Sequence, residues 1–190
     1  SYMWVYQSGA YVTSHPIVLY EYQPTRAGQH AKDFLGSFTG YLQTDGFPGY
    51  HIFNTKENTV KLVGCMAHAR RKFDEALKAL PKDKRKNAGM VQTAISKIAR
   101  LYGIEKQIKN LAPEQRYLVR LEKSKPILDE LKIWCDKTVA KTMKDSLIGK
   151  AIRYMINQWD YLVRYLEEGH LQIDNNAAER SVKPFVIDRK

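Results

Sequence analysis

The feature that most constrains this chain is a change of period near residue 81. Before it, apolar residues come in short aromatic and β-branched runs cut by Gly and Pro; across residues 82–169 no such run occurs, and apolar residues return every three or four positions. Alternation sets side chains on the two faces of a strand, whereas a period near 3.6 lines one stripe of a helix. The chain therefore reads as an α/β protein with a large all-helical segment.

Residues 2–6 and 16–22 read as strands, the second closed by Pro24 and Gly28. Residues 29–38 read as a short helix burying Ala31, Phe34 and Leu35, with Gly36 and Gly40 closing it. A third strand, 40–44, runs into Asp45-Gly46, and a fourth, 60–65, leads to a helix from Ala67 to about Leu80, ended by Pro81. The basic run at 81–86 reads as an exposed, mobile loop. Three helical stripes follow: Met90, Ala94, Ile98, Leu101 and Ile104 or Glu105; then Leu118, Leu121, Leu128, Leu131 and Trp134, with Ser124-Lys-Pro126 marking a restart or kink; then one long helix carrying Leu147, Ala151, Tyr154, Met155, Gln158, Leu162 and Tyr165, stopped by Gly169. Residues 170–173 are a short extended piece. Asp174 reads as the N-cap of a final helix running through Val182 and ended by Pro184.

Charge narrows the partners. Lys and Arg number 31 against 20 Asp and Glu, a formal charge of +11, and such an excess suits a polyanion, whose counterions are released on binding. No apolar stretch is long enough to span a bilayer and no secretory signal is visible, so neither a membrane nor an exported protein is expected. Cys65 and Cys135 lie far apart and form no disulfide framework, which fits a reducing cytoplasm.

Five groups of residues could carry chemistry or contact nucleic acid. Asp45 ends an apolar strand, where a carboxylate can hold a hard cation; an Asp-Gly pair is equally an ordinary turn. In Asp174-Asn-Asn-Ala-Ala-Glu-Arg180, a helix capped by Asp174 puts Asn175 and Glu179 on one face, with Arg180 and Lys183 nearby; the alternative is a capped surface helix. Arg70, Arg71 and Lys72 on the first turns of a helix fit phosphate contact or a plain basic face. Cys65 and His68 have ligand-like spacing but no second Cys/His pair beside them, and packing and hydrogen-bonding roles are the simpler reading. Tyr2, Tyr6, Tyr41 and Tyr50 could stack on bases, although strand aromatics more often serve the core.

The runs Tyr2-Met-Trp-Val-Tyr6, Leu42-Gln-Thr-Asp-Gly46 with Tyr50, Gly64-Cys-Met-Ala-His-Ala-Arg-Arg-Lys-Phe73, Asn157-Gln-Trp159, Asp174-Asn-Asn-Ala-Ala-Glu-Arg180 and Asp188-Arg-Lys190 span nearly the whole chain. In that order they resemble the insertion-sequence 66 family of bacterial transposases. The resemblance implies a ribonuclease-H-like mixed sheet with flanking helices and a DDE site. In such sites three carboxylates hold two Mg²⁺ ions (Mn²⁺ as substitute) for metal-dependent cleavage and transfer of DNA strands. Asp45 looks like the second acid and Glu179 the third. Residues 1–81 and 170–190 would then form the core, and 82–169 a helical insertion. Cys65-x-x-His68 resembles a signature found between those acids in some transposase groups, its role there structural or DNA-contacting; Asp174, Asn175 and Asn176 would support the site.

The implied partners are transposon-end and target DNA and a second copy of the chain in the working complex. No small-molecule substrate is implied, and the implied location is the bacterial cytoplasm, at the nucleoid. The family's first acid lies in a strand upstream of the residue 2–6 run, and no matching residue stands here: Glu21 and Asp33 sit in no such motif. The expectation is a piece cut at both ends, whose sheet lacks its central first strand. That leaves an apolar slot and one of three outcomes, a distorted sheet, a dimer filling the gap or a boundary made by proteolysis, with little strand transfer by this chain alone. A catalytically dead binding module and a nuclease that hydrolyses without joining remain the alternatives.

Overall fold

The computed structural model describes residues 2–9, 15–57, 59–85 and 88–187, with side chains as far as Val182. It is a mixed α/β structure. β1 (Tyr2–Gln7) and β2 (Val18–Gln23) pair antiparallel, Tyr2 opposite Gln23 and Gln7 opposite Val18. α1 (Gly28–Leu35) packs its Phe34 ring flat against Tyr6, centroids 3.8 Å apart. β3 (Gly40–Gln43) and β4 (Val60–Val63) pair parallel, joined through a 3₁₀ turn at Pro48–Phe53.

All four strands expected from the sequence are present, but among the described residues they form two separate pairs rather than one mixed sheet. β1 and β3 both line a groove of about 800 Å³, together with Leu35 and Leu171. Each of these two strands keeps one edge with no ladder partner among the described residues.

The helical part is α2 (Met66–Lys78), α3 (Lys82–Arg85), α4 (Gly89–Ile108), α5 (Pro113–Val119), α6 (Lys125–Val139), α7 (Leu147–Asn157), α8 (Trp159–Val163) and α9 (Asn176–Ile187). None among the described residues is long and apolar enough to cross a membrane. The larger core joins Val63 to Phe73, Ile98, Leu101, Leu131, Ile152 and Met155, so α2 shares one interior with α4, α6 and α7. A smaller core holds Trp4, Ala31, Phe53, Val60 and Leu62. β4 serves both cores because successive side chains leave its opposite faces.

Several helical expectations need correction. The basic run after Pro81 is not all loop: residues 82–85 make one helical turn, because the Arg85 guanidinium donates to the Leu80 and Lys78 carbonyls at 2.9 and 2.6 Å. Val91, not Met90, points inward on α4. Leu118 and Leu121 are exposed, 63% and 37%, while Arg116 and Arg120 are buried in their place. The cause is a π turn at Arg120–Ser124 that runs α5 into α6 and carries the buried stripe through 116, 120 and 124 to Leu128 and Leu131. The expected restart at Ser124-Lys-Pro126 is this junction.

The single helix expected over 147–165 is three pieces. Gln158 leaves helical geometry at φ −98°, ψ 4°, so α7 ends and α8 begins there, and a 3₁₀ turn, Arg164–Leu166, follows. Leu147 is exposed because it opens α7, directly after the Ser146 cap. α9 starts at Asn176 and continues through Pro184 to Ile187 rather than ending before the proline. Proline removes one backbone donor, and α9 runs on without that bond.

Candidate functional site

Because β3 and β4 are parallel, both run out at the same end of the pair, and the chemistry-bearing residues gather there. Asp45 follows β3. Cys65 follows β4 and immediately precedes α2, which carries His68, Arg70, Arg71 and Lys72. The start of α9 is tied to the same corner, as the Met66 N–H donates to the Ile173 carbonyl at 3.0 Å and the Asn175 N–H reaches Cys65 Sγ at 3.5 Å. That brings Glu179, in the first turn of α9, to the β-strand ends.

Asp45 does form an Asp-Gly turn: Oδ1 accepts the Phe47 N–H at 2.9 Å, and Gly46 has φ +82°, the left-handed region glycine enters freely. The turn does not hide the carboxylate. Asp45 and Glu179 line one cavity of about 330 Å³ with Thr44, Tyr50, Arg26 and Asn175. Burial first, and then the charge of Asp45, push the Tyr50 hydroxyl up to about 12.

Glu179 lies between an imidazole and a guanidinium. Its Oε1 is 3.5 Å from His68 Nε2 and its Oε2 is 3.7 Å from Arg71 Nη2. These are ion-pair separations, too long for good hydrogen bonds. Cys65 completes a cluster whose ligand atoms, with those of His68 and Glu179, lie within 4.8 Å of one another. Burial pushes the Cys65 thiol up.

The other expected residues divide. Asp174 is an anchor: Oδ1 accepts the Asn176 N–H at 3.1 Å, while Oδ2 accepts the Tyr102 hydroxyl and the Asn176 amide, each at 2.8 Å. Burial, followed by the negative charge of Asp174, raises the Tyr102 hydroxyl well above its ordinary range. Asn175 accompanies the two acids in the cavity wall. Arg70 turns to Asp74 at 3.6 Å and lies over the Tyr102 ring, and Lys72 Nζ lies 4.7 Å from the Tyr154 ring centre. Arg71 and Arg180 are exposed, and the Lys183 side chain lies outside the described residues. Tyr6 and Tyr50 pack in the smaller core, and Tyr2 is 48% exposed.

Sequence reasoning missed Arg26. It sits at the cavity with its guanidinium 4.7 Å from the Phe47 ring centre. It lies in a Pro/Gly-flanked turn with no periodic neighbour, so only the fold reveals its place. Reasoning from spacing also kept Cys65 and His68 apart from the acids, whereas the fold joins them to Glu179.

A strand-end acid and a helix-borne acid therefore meet at one cavity of a basic mixed α/β chain. Residues 1–190 match the Transposase IS66 family throughout. The chain belongs to that family. Three proteins of Sinorhizobium fredii are similar to it, each 31% identical and each described as uncharacterized: y4hP over 187 residues, y4jD over 180 and y4qI over 188. These alignments cover 94%, 92% and 94% of this chain and 34%, 34% and 33% of the relatives, so the chain spans about a third of their length. No solved structure matches it.

Proposed function

We propose that this chain is the catalytic core of a DDE transposase that cuts and joins DNA strands, with Asp45 and Glu179 as two of its metal-holding acids. One observation carries the reading: residues distant in sequence, one at a strand end and one on the last helix, line the same cavity. Two carboxylates in a cavity that also holds a threonine and an asparagine suit hard, oxygen-seeking ions such as Mg²⁺ or Mn²⁺. Bound there, such ions would activate the attacking oxygen and stabilise the leaving one in an in-line displacement. The protein's own part is to hold both carboxylates in place, with Arg26 at the cavity and Arg71 beside Glu179 to meet phosphate oxygens. Arg70, Lys72, Arg180 and Lys183 extend that basic surface for transposon-end and target DNA. A second copy would serve the second transposon end, and the setting is the bacterial cytoplasm.

The same reading gives the fold a ribonuclease-H-like frame. One further strand in the groove shared by β1 and β3 would join the two sheets into one, and residues 82–169 would be an insertion into that frame. Among the described residues, the acids lining the cavity number two, Asp45 and Glu179. Two carboxylates hold metal less firmly than three, so these 190 residues by themselves should transfer strands weakly. This count also favours the second reading, an inactive DNA-gripping or subunit-contacting module of the same fold.

Strand joining with Mg²⁺ or Mn²⁺, assayed on the full form the gene encodes, separates the two. Asp45→Asn and Glu179→Gln should each abolish joining and leave DNA binding intact; unchanged joining in either variant refutes the assignment. Hydrolysis without joining would identify a nuclease.

A further inference from the structure

We propose that Cys65, His68 and Glu179 form a binding site for a soft divalent cation of the Zn²⁺ class, distinct in chemistry from the hard-cation pocket of Asp45. Among the described residues, this is the group of Cys, His and acidic side chains whose ligand atoms converge, all within 4.8 Å. Zinc bound by one sulfur, one imidazole nitrogen and one carboxylate oxygen, at bond lengths of about 2.0–2.3 Å and near-tetrahedral angles, brings those atoms to roughly 3.5 Å from each other. The His68–Glu179 edge is already 3.5 Å. The widest edge needs to close by roughly 1 Å, which side-chain rotation of a histidine and a glutamate supplies.

Two further observations point at a missing ligand. His68 Nδ1 and Glu179 Oε1 are both buried and have no hydrogen-bond partner. Orphaned polar atoms are uncommon in a folded protein, and a buried carboxylate oxygen with no hydrogen-bond partner, 3.5 Å from His68 Nε2 inside a cluster of ligating side chains, calls for a ligand; an ion held through Nε2 meets that oxygen, and one held through Nδ1 meets both orphaned atoms. The backbone is arranged in advance. Cys65 and His68 straddle the start of α2, and the Met66-to-Ile173 and Asn175-to-Cys65 bonds hold the base of α9 against it. Three protein ligands leave the fourth position to water. Thiolate and imidazole select zinc-like ions over Mg²⁺, so the cluster discriminates by ligand type rather than by size. Glu179 is common to both sites, and its two oxygens either bridge the two ions or are contested by them; that coupling rests on the function proposed above, whereas binding of the soft ion does not.

The test is direct binding of Zn²⁺ and Co²⁺ to the metal-free 190-residue chain. The expected result is one Zn²⁺ per chain, by competition with a chromophoric chelator. Co²⁺ should give a thiolate-to-metal charge-transfer band in the near ultraviolet, which Cys65→Ser removes and Cys135→Ser leaves in place. His68→Ala and Glu179→Gln should each weaken Zn²⁺ binding by about tenfold or more. Should Cys65→Ser fail to fold, those two accessible positions decide the matter, with circular dichroism verifying the fold. A missing charge-transfer band, a band that survives Cys65→Ser, or unchanged affinity in folded His68→Ala overturns the site. No readout depends on strand transfer, so failure here is separable from failure of the transposase reading.

Discussion

Arg120 and Glu105 form a doubly hydrogen-bonded pair inside the helical part, Nε to Oε1 at 2.8 Å and Nη2 to Oε2 at 2.7 Å. The remaining guanidinium protons reach the carbonyls of Tyr165 and Glu168, both at 3.0 Å, and of Leu171 at 2.9 Å. All five donors of the fork are used. Arg120 thereby fixes the segment that leads into α9 and Glu179.

Breaking a buried pair leaves a charge stranded. Arg120→Met and Glu105→Gln are each expected to lower the unfolding free energy by about 3–5 kcal/mol, read from urea denaturation. The double variant should cost less than the two single losses added, because either change alone already breaks the pair. A loss below about 1 kcal/mol, the scale of an exposed pair, would contradict the clamp.

Arg71 is the exposed cation beside Glu179, while Arg70 and Lys72 are engaged with Asp74 and the Tyr154 ring. Arg71→Ala should therefore weaken DNA binding most among the three. The slope of log affinity against log salt should become shallower by about 0.9 for one lost phosphate contact. Binding isotherms at several salt concentrations measure it, and an equal change on Lys72→Ala would place the phosphate contact elsewhere on α2.

Gly46 combines φ +82° with a tight neighbour: a Cβ there would stand 2.9 Å from the Tyr154 hydroxyl. Gly46→Ala is expected to cost about 1–3 kcal/mol and to shift the Asp45 turn. Adding Tyr154→Phe should restore part of the loss by removing the contact and leave the conformational part. Thermal melts of the two variants distinguish these contributions.

Cys65 and Cys135 are free and buried, and burial pushes the Cys135 thiol up to about 12. Thiolate is the reactive form, so both should resist alkylation near neutral pH in the folded chain. A thiol-reagent titration is expected to find no fast-reacting sulfhydryl until denaturant releases both.

The strands and most helix positions were legible because their cues are local: β-branched runs, Gly and Pro boundaries, a repeating apolar stripe. The α5–α6 stripe misled at Leu118 and Leu121. There the inward face is filled by Arg116 and Arg120, residues that hydropathy assigns to solvent, and a buried arginine shows itself only with its partner Glu105 in view. The division of the strands into two pairs was equally hidden, since period two fixes which face a side chain takes and says nothing about which edge finds a neighbour. At the site, Asp45 and Glu179 came from motif order. Their meeting with His68, Arg71 and Arg26 depends on parallel strands and on the tether at Met66, which lie beyond any local window.

Parallel pairing of β3 and β4 also makes the molecule two-ended. Among the described residues, Asp45, Cys65, His68 and Glu179 gather at one rim, where the strands run out. The other rim, where Thr39 and the exposed residues 54–57 lead into Gly40 and Val60, bears none of these four residues. That rim is the natural handle for a fluorophore, an affinity tag or a surface tether, leaving the working end clear.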